Sequence, residues 1–256
     1  MTDPLSFFGA LFSFMTLRYI VLSGLAFWIF YRFKPHKWLA RRIQKRWPNP
    51  TDYQREIGFS ILSLVIFSGV GAGLFWAKAC GWTRLYLDID AYGWGWWIMS
   101  LILLIILHDT WFYWTHRLMH LPKVFPLVHR IHHLSHNPSP WAAFAFHPLE
   151  ALLEIGFLPI AAMIFPMHRS IIIIFSLWMM FFNIVGHLGY ELFPKGFVSH
   201  PFWRWTNTST HHNIHHRSHR HNFGLYFNFW DRMMGTNHPR YEELFEEVVD
   251  RSRVEA

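Results

Sequence analysis

Residues 91–120 read AYGWGWWIMSLILLIILHDTWFYWTHRLMH. The first seventeen are uncharged and close on an unbroken aliphatic run, 101–107, the pattern of a candidate membrane span. Trp94, Trp96 and Trp97 crowd its start, where indole rings favour the interface between lipid and water. The same stretch then delivers His116 and His120, four residues apart. On an α-helix that spacing puts both imidazoles on one face. An apolar helix that ends in paired imidazoles predicts a helical membrane protein with a metal-binding group at one surface of the bilayer.

Two further clusters repeat the theme: His129-Arg-Ile-His132-His133 and His212-Asn-Ile-His215-His216. Their spacings of three and four also share one helical face, so each cluster is expected to aim its rings at one point. The chain has 19 histidines, and isolated pairs arise by chance. Two copies of His-x-x-His-His beside one His-x-x-x-His, set between long apolar segments, do not. Eight imidazoles exceed the four ligands of a structural zinc site. Two adjacent ions, each held by several nitrogens, is the economical expectation.

Composition supports a lipid environment. Hydrophobic residues make up 52% of the 256 and charged ones only 15%, against about 25% in ordinary soluble domains. The single cysteine, Cys80, excludes an intrachain disulfide and a cysteine-built zinc or iron–sulfur site. The N-terminus lacks the basic stretch of a secretory leader, so no cleaved signal peptide is expected. The net charge of +7 equals the seven cations Arg32, Lys34, Lys37, Arg41, Arg42, Lys45 and Arg46, which fall between residues 32 and 47 without an acid among them. That position, directly after an apolar segment, marks a cytoplasmic loop facing anionic headgroups or water, not a nucleic-acid surface.

The remaining apolar stretches are 5–30, interrupted by Arg18, then 57–77, and a hairpin of 155–167 and 170–186. Arg18 is expected to face another helix or to snorkel. With the basic loop in the cytosol, 57–77 leads out and 91–107 returns. The hairpin goes out and back, and all three clusters emerge on the face of the basic loop. The expected architecture is an all-α integral membrane protein of about four spans or two hairpins, with a cytosolic histidine-rich di-metal cap. It is read as one membrane domain over 1–256: N-terminal helices and basic loop in 1–90, a catalytic region in 91–238 and an acidic tail in 239–256. In that tail Leu244, Phe245, Val248 and Val249 form one helical stripe, read as a peripheral helix or a frayed end.

Imidazole ligands suit zinc, copper, iron and nickel. Histidine-held ions at a membrane surface fit dioxygen activation for attack on a C–H bond. A zinc hydrolase typically needs three ligands, an open position and a carboxylate base, and no His-Glu-x-x-His helix is present.

The run His108-Asp-Thr-Trp-Phe-Tyr-Trp-Thr-His116-Arg-Leu-Met-His120 resembles the first histidine box of the fatty acid hydroxylase/sterol desaturase superfamily. Phe144-Ala-Phe-His147-Pro-Leu-Glu150 resembles the element after its second box. His211-His212-Asn-Ile-His215-His216 and the stretch from Asn222 to Thr236 resemble its third box and closing motif. The Phe-His-Pro element and Asn222-Phe-Gly-Leu-Tyr-Phe are most similar to the sterol C5-desaturase (lathosterol oxidase) branch. The resemblance covers about residues 95–238. It implies an O₂-dependent oxidoreductase with two iron ions, for which zinc can substitute in a purified sample. It implies ligand roles for His116, His120, His129, His132, His133, His212, His215 and His216, with His187 as a further ligand. Where some relatives pair His187 with an earlier histidine this chain has Asn183, so a tenth ligand stays open.

The resemblance also implies a membrane lipid substrate, most nearly a sterol, and O₂. A cytochrome b5-like or ferredoxin-type electron donor is implied too, since the chain carries no haem, flavin or iron–sulfur motif. Location would be the endoplasmic reticulum in a eukaryote or the inner membrane in a bacterium. Desaturation or hydroxylation of fatty acyl, carotenoid or ether-lipid chains, and a non-catalytic metal-binding membrane protein, stay open as alternatives. His108, His147, Asn183, His211 and His219 are candidates for ligand or supporting roles. Glu150, Glu154 and Asp231 could orient imidazoles, but a helix cap or an ion pair with Arg232 or another cation is the slightly favoured expectation for them.

Overall fold

Each long helix starts where the sequence supplies a cap. In a computed structural model, which describes residues 3–33, 36 and 38–254 and gives only backbone for 252–254, helix α1 spans Pro4–Phe27. Asp3 accepts hydrogen bonds from the Leu5 and Ser6 amides, and Pro4 occupies the first turn, where its missing N–H costs nothing. A π-helical turn, Trp28–Arg32, extends it. Helix α2, Pro50–Ala79, begins with a reciprocal capping box between Asn49 and Asp52. Helix α3 spans Gly93–Met119, α6 spans Pro148–Ile164 and α7 spans Arg169–Gly186. Between α3 and α6 lie two one-turn helices, α4 (Phe125–Val128) and α5 (Arg130–His133). Helices α8 (Ser209–Ser218), α9 (Phe229–Met233) and α10 (Tyr241–Val254) complete the chain.

Among the described residues, four helical segments are long and apolar enough to cross a bilayer by length and composition: Pro4–Arg32, Pro50–Ala79, Gly93–Met119 and Arg169–Gly186. Their outward faces leave Leu17, Ile20, Ile102, Ile106, Ile173 and Phe181 exposed. Apolar surface on that scale calls for lipid around the bundle. Helix α6 is shorter and packs against α2 and α3, with Leu149, Leu152, Ile160 and Ile164 left exposed on its other face. Inside, Leu104, Phe157, Met167, Ile171 and Phe175 form one cluster, and Tyr19, Leu64, Phe67, Phe144 and Met180 form another. Arg18 faces a neighbouring helix, donating to Ser176 Oγ of α7 at 2.6 Å.

The bundle has two unlike ends. At one, strands β1 (Leu85–Tyr86) and β2 (Met167–His168) form a short parallel ladder, and the Trp97 indole donates to Ser170 Oγ. At the other sit the histidines, and the basic segment joins them there. Ile43 N–H donates to Gly189 O, Gln44 Nε2 to Asn213 Oδ1, and Arg41 to Phe193 O. Arg42 is buried, stacked 3.5 Å over the Trp47 ring. Its guanidinium donates to the Lys45 and Arg46 carbonyls. Part of this segment is therefore bound to protein and not free for headgroups or water. Lys34 and Lys37 lie outside the described residues. Helix α10 is docked, not frayed: Tyr241, Phe245 and Val249 pack on Val198 and Ile214, because burying its one apolar stripe outweighs its acidic face.

Candidate metal centre

Four segments bring nine imidazoles together. The end of α3 supplies His116 and, as its closing residue, His120. The α4–α5 junction supplies His129, His132 and His133, and His187 closes α7. Helix α8 supplies His212, His215 and His216, capped by Thr208 accepting from His211 N–H. Gly186 lets α7 and α8 meet, since a Cβ there would lie 3.2 Å from the His212 ring.

The rings divide into two groups: His116, His120, His129, His133 and His215, and His132, His187, His212 and His216. The expectation that each cluster aims at one point fails for the second and third clusters, while His116 and His120 fall in one group. Successive helical residues point about 100° apart, so His132 turns to one group while His133 turns to the other. In α8, His215 parts from His212 and His216 in the same way. The second cluster is also not on one helix, because His129 sits between two one-turn helices. The groups adjoin, with His133 and His216 rings 4.8 Å apart.

Within each group the Nε2 atoms face one another. His116–His129 and His133–His215 are at 3.0 Å, and His120–His133 and His129–His133 at 3.1 Å. His187–His212 and His212–His216 are at 3.1 Å, and His132–His187 at 3.3 Å. Five of the Nδ1 atoms meet a polar partner, while those of His133 and His216 are buried with none. His116 donates to Phe223 O at 2.8 Å, and His187 to Asn183 O and His215 to His221 O at 2.7 Å. His132 lies 3.4 Å from Ala145 O, and His129 lies 2.7 Å from Glu150 Oε1. A carbonyl can only accept, so these rings carry their proton on Nδ1 and turn a bare lone pair inward. Lone pairs about 3 Å apart repel unless a cation lies between them. Nitrogens sharing an ion at ~2.1 Å stand roughly 3.0–3.4 Å apart. Donor type, tautomer and spacing all fit metal ions.

Protonation does not relieve the clash. Burial, then the charges of neighbouring imidazoles, hold His129, His132, His133, His212, His215 and His216 well below the ordinary histidine range. Burial brings His187 down to about 4 and His120 to about 2.

The other candidates belong to neither group, although His219 and Asn183 border them. His108 is two turns below His116 in α3, among Phe157, Phe175 and Tyr226, whose hydroxyl is 3.0 Å from its Nδ1. His147 caps α6 by accepting from Leu149 N–H. His211 is buried on the α10 side, its ring against Tyr241, with neither nitrogen hydrogen-bonded. His219 ends α8 in a left-handed conformation, φ 59°, with its ring 4.2 Å from His133. Asn183 spends its amide on Met179 O, and lines a cavity of about 10 Å³ beside His187 and His212.

Glu150 departs from the slightly favoured cap or ion pair by holding His129 Nδ1. Asp231 accepts from the Phe223 and Gly224 amides and from Thr236, which fixes the loop bearing the His116 acceptor. Arg232 pairs with Glu242 instead. Sequence reasoning missed Asp109, which accepts from the Tyr226 and Phe227 amides. It also missed the carbonyl partners, for which no side chain leaves a signal. Replacing Glu150 by alanine should lower metal affinity about 10- to 100-fold, as loss of an imidazole's partner does elsewhere. Glu150→Gln, which keeps an acceptor oxygen, should lose less. Competition with a chelator checks both.

The fatty acid hydroxylase family model matches residues 101–236, slightly over half the chain and the stretch that holds all nine rings. A Delta(7)-sterol 5(6)-desaturase of Gibberella zeae is 30% identical over 191 residues, covering 75% of this chain and 58% of the relative. A lathosterol oxidase of Rattus norvegicus is 34% identical over 188 residues, covering 72% and 61%. The chain spans about three fifths of the length of these curated relatives. No solved structure matches it. The chain belongs to the fatty acid hydroxylase family, and its resemblance is to the sterol C5-desaturase branch.

Proposed function

We propose that this chain is an O₂-dependent di-iron oxidoreductase that desaturates a membrane lipid, most nearly a sterol at the position its relatives' names specify. The observation that carries the reading is the pair of adjoining imidazole groups with bare Nε2 atoms turned inward, at one end of a bundle of candidate spans. The nine rings are the ligands, and the groups take one ion each. When bound, the ions supply reduction of O₂ by two external electrons, coupled to removal of two hydrogens from adjacent carbons. With two protons taken up, the oxygen leaves as two waters.

The chain's own groups position and shield. Phe223 O, Glu150, Asn183 O and His221 O keep the imidazole protons on the outer nitrogen. Beside His187 and His212, Phe182, Val185 and Leu225 wall a small cavity with apolar surface, with room for about one molecule of the size of water or O₂. Asn183, Asn207 and Thr208 are the polar groups there. The histidine end faces the cytosol, as the cation-rich segment docked on it supports. A cytochrome b5-like or ferredoxin-type donor delivers the electrons on that face. The whole chain acts as one membrane domain, with residues 91–238 as the catalytic region and 239–256 as an acidic appendage.

The test is metal content per chain, together with the sterol profile of cells that supply a donor, for the wild type and His132→Ala. Two irons and a new ring double bond, absent with the variant, are expected. A hydroxylated lipid would move the reading to a hydroxylase of the same family. Bound metal with no oxidised lipid and no O₂ uptake would overturn the enzymatic reading.

A further inference from the structure

At the end of the bundle opposite the histidines, a cavity of about 410 Å³ opens between α1, α2, α6 and α7. That volume falls within the ~300–1,000 Å³ of small-molecule sites. Phe7, Leu11, Met15, Val70, Leu74 and Leu158 give it apolar walls. Among the described residues, the only charged groups that line it are Lys78, in the last turn of α2, and Arg169, the first residue of α7. Neither forms a hydrogen bond or an ion pair among the described residues. The carboxylates of the same end do not neutralise them: Asp88 caps the turn at Ile89–Ala91, and neither it nor Asp90 pairs with either cation. The ladder Leu85↔Met167 ties the segment after Lys78 to the strand that leads into Arg169.

We infer that this cavity binds an anionic phospholipid, with one acyl chain inside and the phosphate held between Lys78 and Arg169. An acyl chain suits walls that offer it no hydrogen bond, and two unpaired cations at the interface suit a headgroup of net negative charge over a zwitterionic one, whose phosphate brings its own cation. The site is separate from the metal centre. Its inner wall includes Phe67, 5.6 Å from the Phe144 ring, and Phe146 follows before His132. It goes beyond the proposed reaction and does not depend on it.

The test uses the full chain in detergent, mixed with equal amounts of dioleoylphosphatidylglycerol and dioleoylphosphatidylcholine and weighed by native mass spectrometry. Wild type should retain the glycerol lipid with about tenfold or greater preference, the scale of one or two charge-assisted hydrogen bonds. Lys78→Gln with Arg169→Gln should abolish the preference at unchanged metal content. Val70→Trp, which fills the cavity and keeps both cations, should abolish retention. Equal retention of the two lipids by the wild type would overturn the site, and it needs no variant. So would a preference that survives the double substitution, or retention that survives Val70→Trp, which would mark ordinary interfacial attraction. Metal content and lipid product test the proposed reaction separately.

Discussion

His187→Ala should leave about one bound ion per chain and reduce turnover by more than about 100-fold, beyond the cost of removing an outer partner. The four-imidazole group has no ring to spare: without His187 only His132, His212 and His216 remain. Its neighbour has five, so His120→Ala leaves four, enough for a tetrahedral set. His120 is also the least buried of the nine, which makes its loss easier to fill with water. The expected pattern is unequal: His187→Ala loses an ion, whereas His120→Ala keeps about two and loses affinity. Elemental analysis of the purified variants reads the count, and product formation with excess donor reads the activity. Two tightly held ions in His187→Ala would remove this residue from the ligand set.

The second large effect is acid instability. Burial lowers the folded-state pKa of these imidazoles below the unfolded value of about 6.5. The unfolded chain therefore binds more protons, and stability falls as pH falls below about 6.5. For His187, with a folded value of about 4, the loss amounts to about 2 kcal/mol by pH 5 and levels off below pH 4. The well-buried rings of both groups shift in the same direction, so the effect accumulates. Bound ions deepen it, because each ligand must be neutral. Metal release between pH 6.5 and 5, followed by unfolding within the same range, is expected. Thermal melting against pH, with and without chelator, measures it. The chelated protein should already melt lower at pH 7.5, since nothing then separates the inward lone pairs. Equal melting of loaded and chelated protein at that pH would contradict a cation at the centre.

Much of the bundle was legible because lipid imposes a coarse rule: about twenty apolar residues are needed to cross. The segments 57–77 and 170–186 fall within long helices, and 91–107 does so from Gly93 onward, its first two residues lying in the turn before α3. Arg18 left two options that only the position of Ser176 decides. The stripe on 241–254 was readable as a helix, yet its docking depends on Val198 and Ile214, remote in sequence.

The histidines divide along the same line. Spacings of three and four are local, and the helical period turns them into shared faces without help from the rest of the chain. The sequence by itself therefore determined a mostly helical body and put eight of the converging rings on shared helical faces, while His187 was named only through the resemblance to the family. Tertiary structure alone decided how they are partitioned, five and four. Adjacent residues such as His132 and His133 diverge by helical geometry, and only the packing of α3, α5, α7 and α8 determines which opposing ring each one meets. It also decided the outer partners, because a backbone carbonyl such as Phe223 O or His221 O belongs to every residue type and leaves no mark in a sequence.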